Sequence, residues 1–383
     1  MSIKNKKSKN NIFIWSPMIS HIGTIRAAIG MAKAFKRFTE SKDGKVFLVN
    51  VFGEFNSYEK NSDFILLNIF NKFSFYKTGI ISKILIYVFT LLTLPFLIYF
   101  IVKFKPKIIV TCLVGYLPNI LKFFFKDLVI INSIQGYPKI NNLRKFIWKK
   151  TYLKSDHLIT MTNITKQKLI EDLNFKNSKI TKIDNPIISR EIRLMANKKL
   201  DDQDLEIFKK KVFCSIGRLT RQKNYLEMLK GFNFFSKEFN NNFNLIIIGE
   251  GEQRAVLEQF IKQEKITNCF LLGFKKNPYR YLSKSSFYLS SSLWEEPGHT
   301  LIEAGYLNIP ILSSDCPNGP REVINHNING FKYKTNDLDD LKNKMNYVSK
   351  IEENKLYEIK LNMKKAISSF SEFKFYKKIQ LIL

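Results

Sequence analysis

Chemistry that depends on metals or disulfides has few residues to draw on here, because 383 residues hold only four cysteines and four histidines. Cys112, Cys214, Cys269 and Cys316 stand far apart, with no C-x-x-C pair and no histidine at metal-ligand spacing, which argues against a structural zinc site. The first three lie in apolar runs, where a free thiol behaves as a small buried hydrophobe and suits a reducing cytoplasm. Acidic residues are scarce as well: 33 Asp and Glu face 62 Lys and Arg, a formal charge of +29. Such a surface favours nucleic acid, acidic lipid headgroups or phosphorylated substrates, although Lys with abundant Asn also reads as a plain solvated surface. No short repeat is present, which excludes a solenoid. The basic start MSIKNKKSKNN is followed by the short run IFIWS and not by a secretory apolar region, so export by that route is not expected.

What the chain does have is apolar material in regular portions. Hydrophobic residues make up 45%, with 34 Phe, enough for buried sheets, and the length favours two domains with a cleft between them. Apolar runs at 12–16, 45–52, 107–113, 128–134 and 157–162 alternate with helix-length segments, beginning with a helical pattern over 24–38. That is the pattern of a parallel sheet covered on both faces. A second series follows at 212–216, 244–248, 269–272, 287–290 and 309–313, after a charged stretch at 192–211 that reads as a linker. The expected fold is α/β, with two doubly wound, Rossmann-like domains at 1–200 and 201–369 and a C-terminal helix over 370–383 that packs back on the first.

Residues 84–102 contain no formal charge, and nineteen such residues just suffice to span a bilayer. Pro95 and the return of the βα pattern at Lys107 argue against spanning. A buried helix or one lying in the membrane interface remains.

Two segments carry candidate chemistry. In SSLWEEPGHTLIEAGYLNIPILSSDCPNGPREVI, residues 291–324, Glu295 and Glu303 are separated by seven residues, with a Pro-Gly turn and a helix start near His299. The amides of Gly298, His299, Thr300 and Leu301 would then form a helix N-terminus suited to a phosphate, and Glu303 could accept hydrogen bonds from sugar hydroxyls. Thr300 to Glu303 equally fits a capping box in which Glu303 serves only its own helix. In CSIGRLTRQKNYLEMLKGF, residues 214–232, Gly217 ends a strand and Arg218 and Lys223 flank the loop. Fork and point charge could clamp a diphosphate from two directions, or simply be solvated.

The run Gly217-Arg-Leu-x-x-Gln-Lys223, then LIIIGEGEQRAVL, FLLGFKKNPYRYL and Glu295-x7-Glu303-Ala resembles, in order and spacing, the donor domain of the family 4 retaining glycosyltransferases with the GT-B fold. SDCPNGPREVI resembles the subset that builds lipopolysaccharide, O-antigen and protein-linked glycans. The first half agrees through SPMISHIGTIRAAIGMAKAF, SDHLITMTNITKQKL and ITKIDNPI. By this resemblance Arg218 and Lys223 neutralise the donor diphosphate, Glu295 faces the transferred sugar and Glu303 holds the ribose. The amides of 298–301 join the diphosphate site, Gly251 and Phe274 contact the nucleotide, and Gly23 lets the backbone approach donor and acceptor. SIQGYPKI stands where many relatives carry a histidine, which places Gln135, Gly136 and Tyr137 on the acceptor side. Gln cannot act as a base near pH 7, so no protein base is assigned, and the donor phosphate itself accepts the acceptor's proton.

The resemblance further implies a UDP- or GDP-linked sugar as co-substrate with no other cofactor. It implies a glycan or polyprenyl-diphosphate-linked acceptor, and a peripheral position on the inner face of the cytoplasmic membrane. There the 84–102 stretch and lysines such as Lys122, Lys126, Lys145, Lys149 and Lys150 would meet anionic lipid. Nucleic acid is not an expected partner, since no RNA-binding aromatic signature is present. No metal is expected: Asp202-Gln203-Asp204 fits D-x-D but lies in the charged linker and reads as solvated. Gly249-Glu250-Gly251 lacks the continuation of a kinase or dehydrogenase loop. An inactive GT-B-like binder of membrane or nucleic acid, and a nucleotide-sugar epimerase, are the alternatives.

Overall fold

The structure, a computed structural model, describes residues 10–17, 23–40, 43–59, 63–70, 88–136, 141–239 and 242–383. The chain forms two compact units, Met1–Ile187 with Glu372–Leu383, and Ile188–Ser371.

The first unit is built on seven parallel strands: β1 (Asn11–Trp15), β2 (Val46–Asn50), β3 (Ile65–Asn68), β4 (Pro106–Thr111), β5 (Val129–Ile134), β6 (His157–Thr160) and β7 (Ile180–Lys182). They lie in the order β3-β2-β1-β4-β5-β6-β7. Every residue of β1 is buried because both faces are covered. Ile12 and Ile14 pack with Ile25, Ala28, Ile29 and Phe35 of the helix Gly23–Glu40. Phe13 and Trp15 face the opposite side, with Leu97 and Ile101 of the helix Leu94–Phe104. The C-terminal helix Glu372–Gln380 lies on the helix Gly23–Glu40, with the Phe375 and Phe35 rings 6.1 Å apart, edge to face.

The 84–102 stretch is not one continuous helix over its described part. Residues 88–92 are helical, Thr93 sits in a turn, and a new helix starts at Leu94 with Pro95 in its first turn. Proline has no N–H to give the preceding turn, so the chain restarts there. The Leu94–Phe104 helix rises about 16 Å, half of the roughly 30 Å hydrocarbon thickness. Among the described residues no helix is long and apolar enough to cross a membrane. Residues 84–87 lie outside the described residues.

The second unit carries six parallel strands: β8 (Lys211–Ile216), β9 (Phe243–Ile248), β10 (Cys269–Gly273), β11 (Phe287–Ser290), β12 (Ile311–Ser314) and β13 (Phe331–Tyr333). Their order is β10-β9-β8-β11-β12-β13. Phe213 on β8 stacks on Phe243 and Phe287 of the strands to either side, at 5.0 and 5.4 Å between centroids. The order reverses between β8 and β11, the switch point at which doubly wound sheets leave a crevice beyond their strand ends.

The charged 192–211 stretch overlaps two helices, Arg190–Ala196 and Asp202–Leu205. The first packs on this unit through Ile192, Ala196 and Tyr279, which is why the unit begins at Ile188. Asp204 is not simply solvated: it accepts a 2.5 Å hydrogen bond from the Tyr281 hydroxyl and lies 3.6 Å from Lys275.

Candidate functional site

The loops beyond β8, β9 and β11 are sewn to one another by backbone. Gly217 N–H donates to Ile248 O at 3.0 Å, and Leu219 N–H to Glu250 O at 2.9 Å. A Cβ on Gly249 would lie 1.9 Å from Gly217 O, so only glycine lets the two strand ends approach this closely. Gly251 is held in the same seam, beside Leu219 O, and Gly249 N–H donates to Gly273 O at 2.9 Å. That last bond brings in the β10 end, where the Phe274 side chain stands 72% exposed.

Lys223 closes the short 3-10 turn Arg221–Lys223 that follows β8. The 291–295 loop after β11 is anchored to this turn. Leu293 N–H donates to Gln222 O, Gln222 Nε2 to Trp294 O, and Ser291 Oγ to Lys223 O, at 2.7–2.8 Å. These bonds bring Lys223 Nζ onto Glu295 Oε1 in an ion pair that is largely shielded from water. Ser292 Oγ donates to the same carboxylate oxygen at 2.5 Å. A Cβ on Gly217 would stand 3.0 Å from Lys223 Cε, so the strand end, the ammonium and the carboxylate form one cluster. Arg218 is exposed and, among the described residues, makes no ion pair.

Beside this cluster Gly298, at φ +91°, opens the helix His299–Tyr306, and its Cα region lies against the Glu295 side chain. The helix thus starts at His299, which overturns the capping-box register: Thr300 is inside the first turn and cannot be the cap. Its hydroxyl instead shares a 2.7 Å hydrogen bond with Tyr288, and Glu303 Oε1 accepts from Tyr279 Oη at 3.0 Å. Glu303 is 1% exposed. Leu301 N–H donates to Gly298 O at 3.1 Å, so its amide already serves the turn and is not a free donor as expected. Gly298, His299 and Thr300 remain as the residues of the helix start.

Burial raises the titration of the phenols beneath the cluster. Tyr288 is pushed well above its ordinary range by desolvation, with Tyr225 and Glu295 adding to the rise, and Tyr225 is pushed up for the same reason. The Cys316 thiol is pushed up to about 12 by burial and by the nearby Glu295 charge. None of these groups is poised to act as a base near neutrality. Among the described residues no group of three His, Cys, Asp or Glu side chains is arranged to hold a metal ion.

The remaining expected residues belong to the first unit. Gly23 opens the helix Gly23–Glu40. Gln135 Nε2 donates to Ser133 Oγ at 2.6 Å and Asn185 Oδ1 at 3.1 Å, while Gln135 Oε1 accepts from Asn185 Nδ2 at 2.9 Å. Both of its N–H groups are thereby spoken for. Gly136 faces open space, and Tyr137 lies outside the described residues. Sequence reasoning missed Ser292, Gln222, Tyr279 and Tyr288. The serine run before Trp294 was a usable signal for the first, but no local pattern joins Tyr279 to a carboxylate 24 residues away.

Residues 197–366 match the family model described as Glycosyl transferases group 1. This stretch matches the group 1 glycosyltransferase domain. The chain is 34% identical over 241 residues to an uncharacterized glycosyltransferase of Methanocaldococcus jannaschii, covering 58% of this chain and 59% of that one. It is 26% identical over 186 residues to a Campylobacter jejuni enzyme, N-acetylgalactosamine-N,N'-diacetylbacillosaminyl-diphospho-undecaprenol 4-alpha-N-acetylgalactosaminyltransferase, covering 48% and 47%. The chain spans about half the length of the curated relatives it matches. The crystal structure of HepE of Anabaena in complex with UDP superposes with a TM-score of 0.75 at 14% identity, over 97% of this chain and 98% of that one. That likeness shows the GT-B fold.

Proposed function

We propose that the chain is a retaining, metal-independent glycosyltransferase of the family 4 kind. It moves a hexose or hexosamine from a UDP- or GDP-linked donor to a glycan or polyprenyl-diphosphate-linked acceptor in surface polysaccharide or glycan assembly. The observation that carries the reading is the Lys223–Glu295–Ser292 cluster at the β8/β11 switch point, with a helix N-terminus beside it. Cation, carboxylate and helix amides converge where a nucleotide diphosphate and its sugar would meet a doubly wound sheet.

In this reading Arg218 and Lys223, with the amides of the 298–300 helix start, stabilise the negative charge that gathers on the departing diphosphate. Glu295 orients the transferred sugar. Glu303 holds the ribose by exchanging its Tyr279 hydrogen bond for ribose hydroxyls. Phe274 offers an exposed ring for the base, and the backbone of Gly251, held against Leu219, contacts the nucleotide beside it. The bond from the anomeric carbon to the phosphate oxygen breaks, the acceptor hydroxyl attacks from the same face, and its proton passes to the departing phosphate oxygen. The first unit takes the acceptor, with Gly23, Gln135, Gly136 and Tyr137 on that side. The relative that names an undecaprenol acceptor supports a lipid-linked substrate and hence a peripheral position at the inner membrane face.

The test is incubation of the purified chain with a panel of UDP- and GDP-sugars and a polyprenyl-diphosphate-linked glycan, followed by NMR of the new linkage. Transfer with the donor's anomeric configuration kept is the expected result. An inverted linkage, or epimerised free donor without transfer, would overturn the reading.

A further inference from the structure

The first unit carries an apolar surface that the described chain leaves uncovered. The helix Leu94–Phe104, the helix Tyr116–Leu121 with the turn after it, and the helix Asn142–Thr151 lie side by side on one face of the seven-stranded sheet. Leu97, Ile101, Leu117 and Leu121 share one buried cluster, and Tyr116 joins it to a second that holds Trp148 and Tyr152. On the outside of this layer the rings of Phe123 and Phe124 are 68% and 75% exposed, and that of Phe146 is 62% exposed. Large rings gathered in this way on one face are unusual for a surface that meets only water.

Cations stand among these rings. Lys154 Nζ lies 4.3 Å from the Phe123 ring centroid, Lys103 lies 5.2 Å from Tyr99, and Lys150 lies 5.9 Å from Phe146. Residues 88–126 and 141–155 contain no Asp or Glu at all. A second copy of the chain would therefore bring like charge against like charge. An anionic bilayer matches both components, taking the rings at the acyl boundary and the ammonium groups among its phosphates.

We propose that this face docks on an anionic lipid surface, with Phe123 and Phe124 as the inserted knuckle. The inference rests on the peripheral location proposed above. It assigns that location to three adjoining elements, of which the 84–102 stretch supplies only part. Rings enter the interface while Lys103, Lys150 and Lys154 stay at headgroup level, the arrangement long basic side chains adopt with their stems on apolar surface.

The test is co-sedimentation of the full chain with phosphatidylcholine vesicles, with and without phosphatidylglycerol. It compares the wild type, the Phe123→Ser/Phe124→Ser variant and a Tyr357→Ser control on the second unit. Wild type and control should bind only the anionic vesicles and release as salt rises. The double variant should bind roughly ten-fold more weakly or worse, because two inserted rings are removed. Release of UDP from a sugar donor without vesicles should be equal in all three. Equal vesicle binding by wild type and double variant overturns the proposal, as does a concentration-dependent dimer that the same substitutions abolish. Ring-dependent vesicle binding with no turnover of any donor would leave the docking face standing and remove the glycosyltransferase reading.

Discussion

Lys223 and Glu295, separated by 72 residues of sequence, meet in an ion pair at the carboxyl edge of the second sheet, and Ser292 shares the same carboxylate oxygen. Without a ligand the ammonium is therefore already neutralised from within. A diphosphate must share Lys223 with Glu295 or displace it. Glu295→Gln should consequently tighten UDP binding several-fold while slowing sugar transfer by about 10²-fold, since the carboxylate that orients the sugar is gone. Calorimetry with UDP and initial-rate kinetics check both halves. Weaker UDP binding in the variant would contradict the competition.

The same pair should appear in stability. Lys223→Met strands a nearly buried carboxylate and is expected to cost about 1–3 kcal/mol, with Lys223→Met/Glu295→Gln recovering part of that. Activity stays lost in both. Urea unfolding of the wild type, the two single variants and the double variant gives the coupling, and strictly additive effects would mean that the pair contributes nothing.

Arg218 separates function from folding more cleanly, because it is exposed and makes no ion pair among the described residues. Arg218→Ala should leave stability within about 0.5 kcal/mol and cost about 2–4 kcal/mol of transition-state stabilisation. Activity within a few-fold of wild type would remove Arg218 from the diphosphate site.

For Glu303 the decisive comparison is with Tyr279. Tyr279→Phe deletes the hydroxyl that donates to Glu303 and should cost about 0.5–1.5 kcal/mol of stability with little change in donor KM. Glu303→Gln keeps a hydrogen bond to the tyrosine but offers ribose a neutral acceptor, so donor KM should rise. If Glu303→Gln lowers stability with unchanged kinetics, the residue is only a strut for Tyr279.

The sheets were legible in the sequence because parallel strands buried on both faces leave near-continuous apolar runs, such as Ile12 to Trp15 and Leu245 to Ile248. The helix start near His299 was legible from the Pro-Gly turn, but the partners of its side chains were not. Thr300 and Glu303 have capping-box spacing, but with Gly298 as the residue before a helix that starts at His299, both lie inside the helix and pair with tyrosines instead. Composition also hid the Arg190–Ala196 helix. Its charged face resembles a linker, and the few apolar residues that dock it, Ile192 and Ala196, gain meaning only once Tyr279 is known to lie opposite. Contacts of that kind depend on the tertiary fold and leave no periodic trace.

Glu54 gives the chain a pH dependence of definite sign. Its carboxyl is buried after β2, accepts the N–H groups of Val51 and Phe52 at 3.1 and 2.7 Å, and is pushed up to about 7 by desolvation despite those bonds. In the unfolded chain it titrates near 4.5, so between these values the native state holds a proton that the unfolded state has lost. This contribution to stability is complete below about pH 4.5 and is lost as pH rises through 7. Glu227, likewise raised to about 7 by burial, acts in the same direction. Glu54→Gln replaces the titrating carboxyl by a neutral amide. It should flatten the fall in stability between pH 4.5 and 7 by on the order of 1–3 kcal/mol, with the larger gain over wild type at the upper end. Urea midpoints at four or five pH values across this window, for wild type and variant, measure the slope. A variant that loses stability with the same slope as wild type would mean that Glu54 is ionised throughout and held by its amides alone.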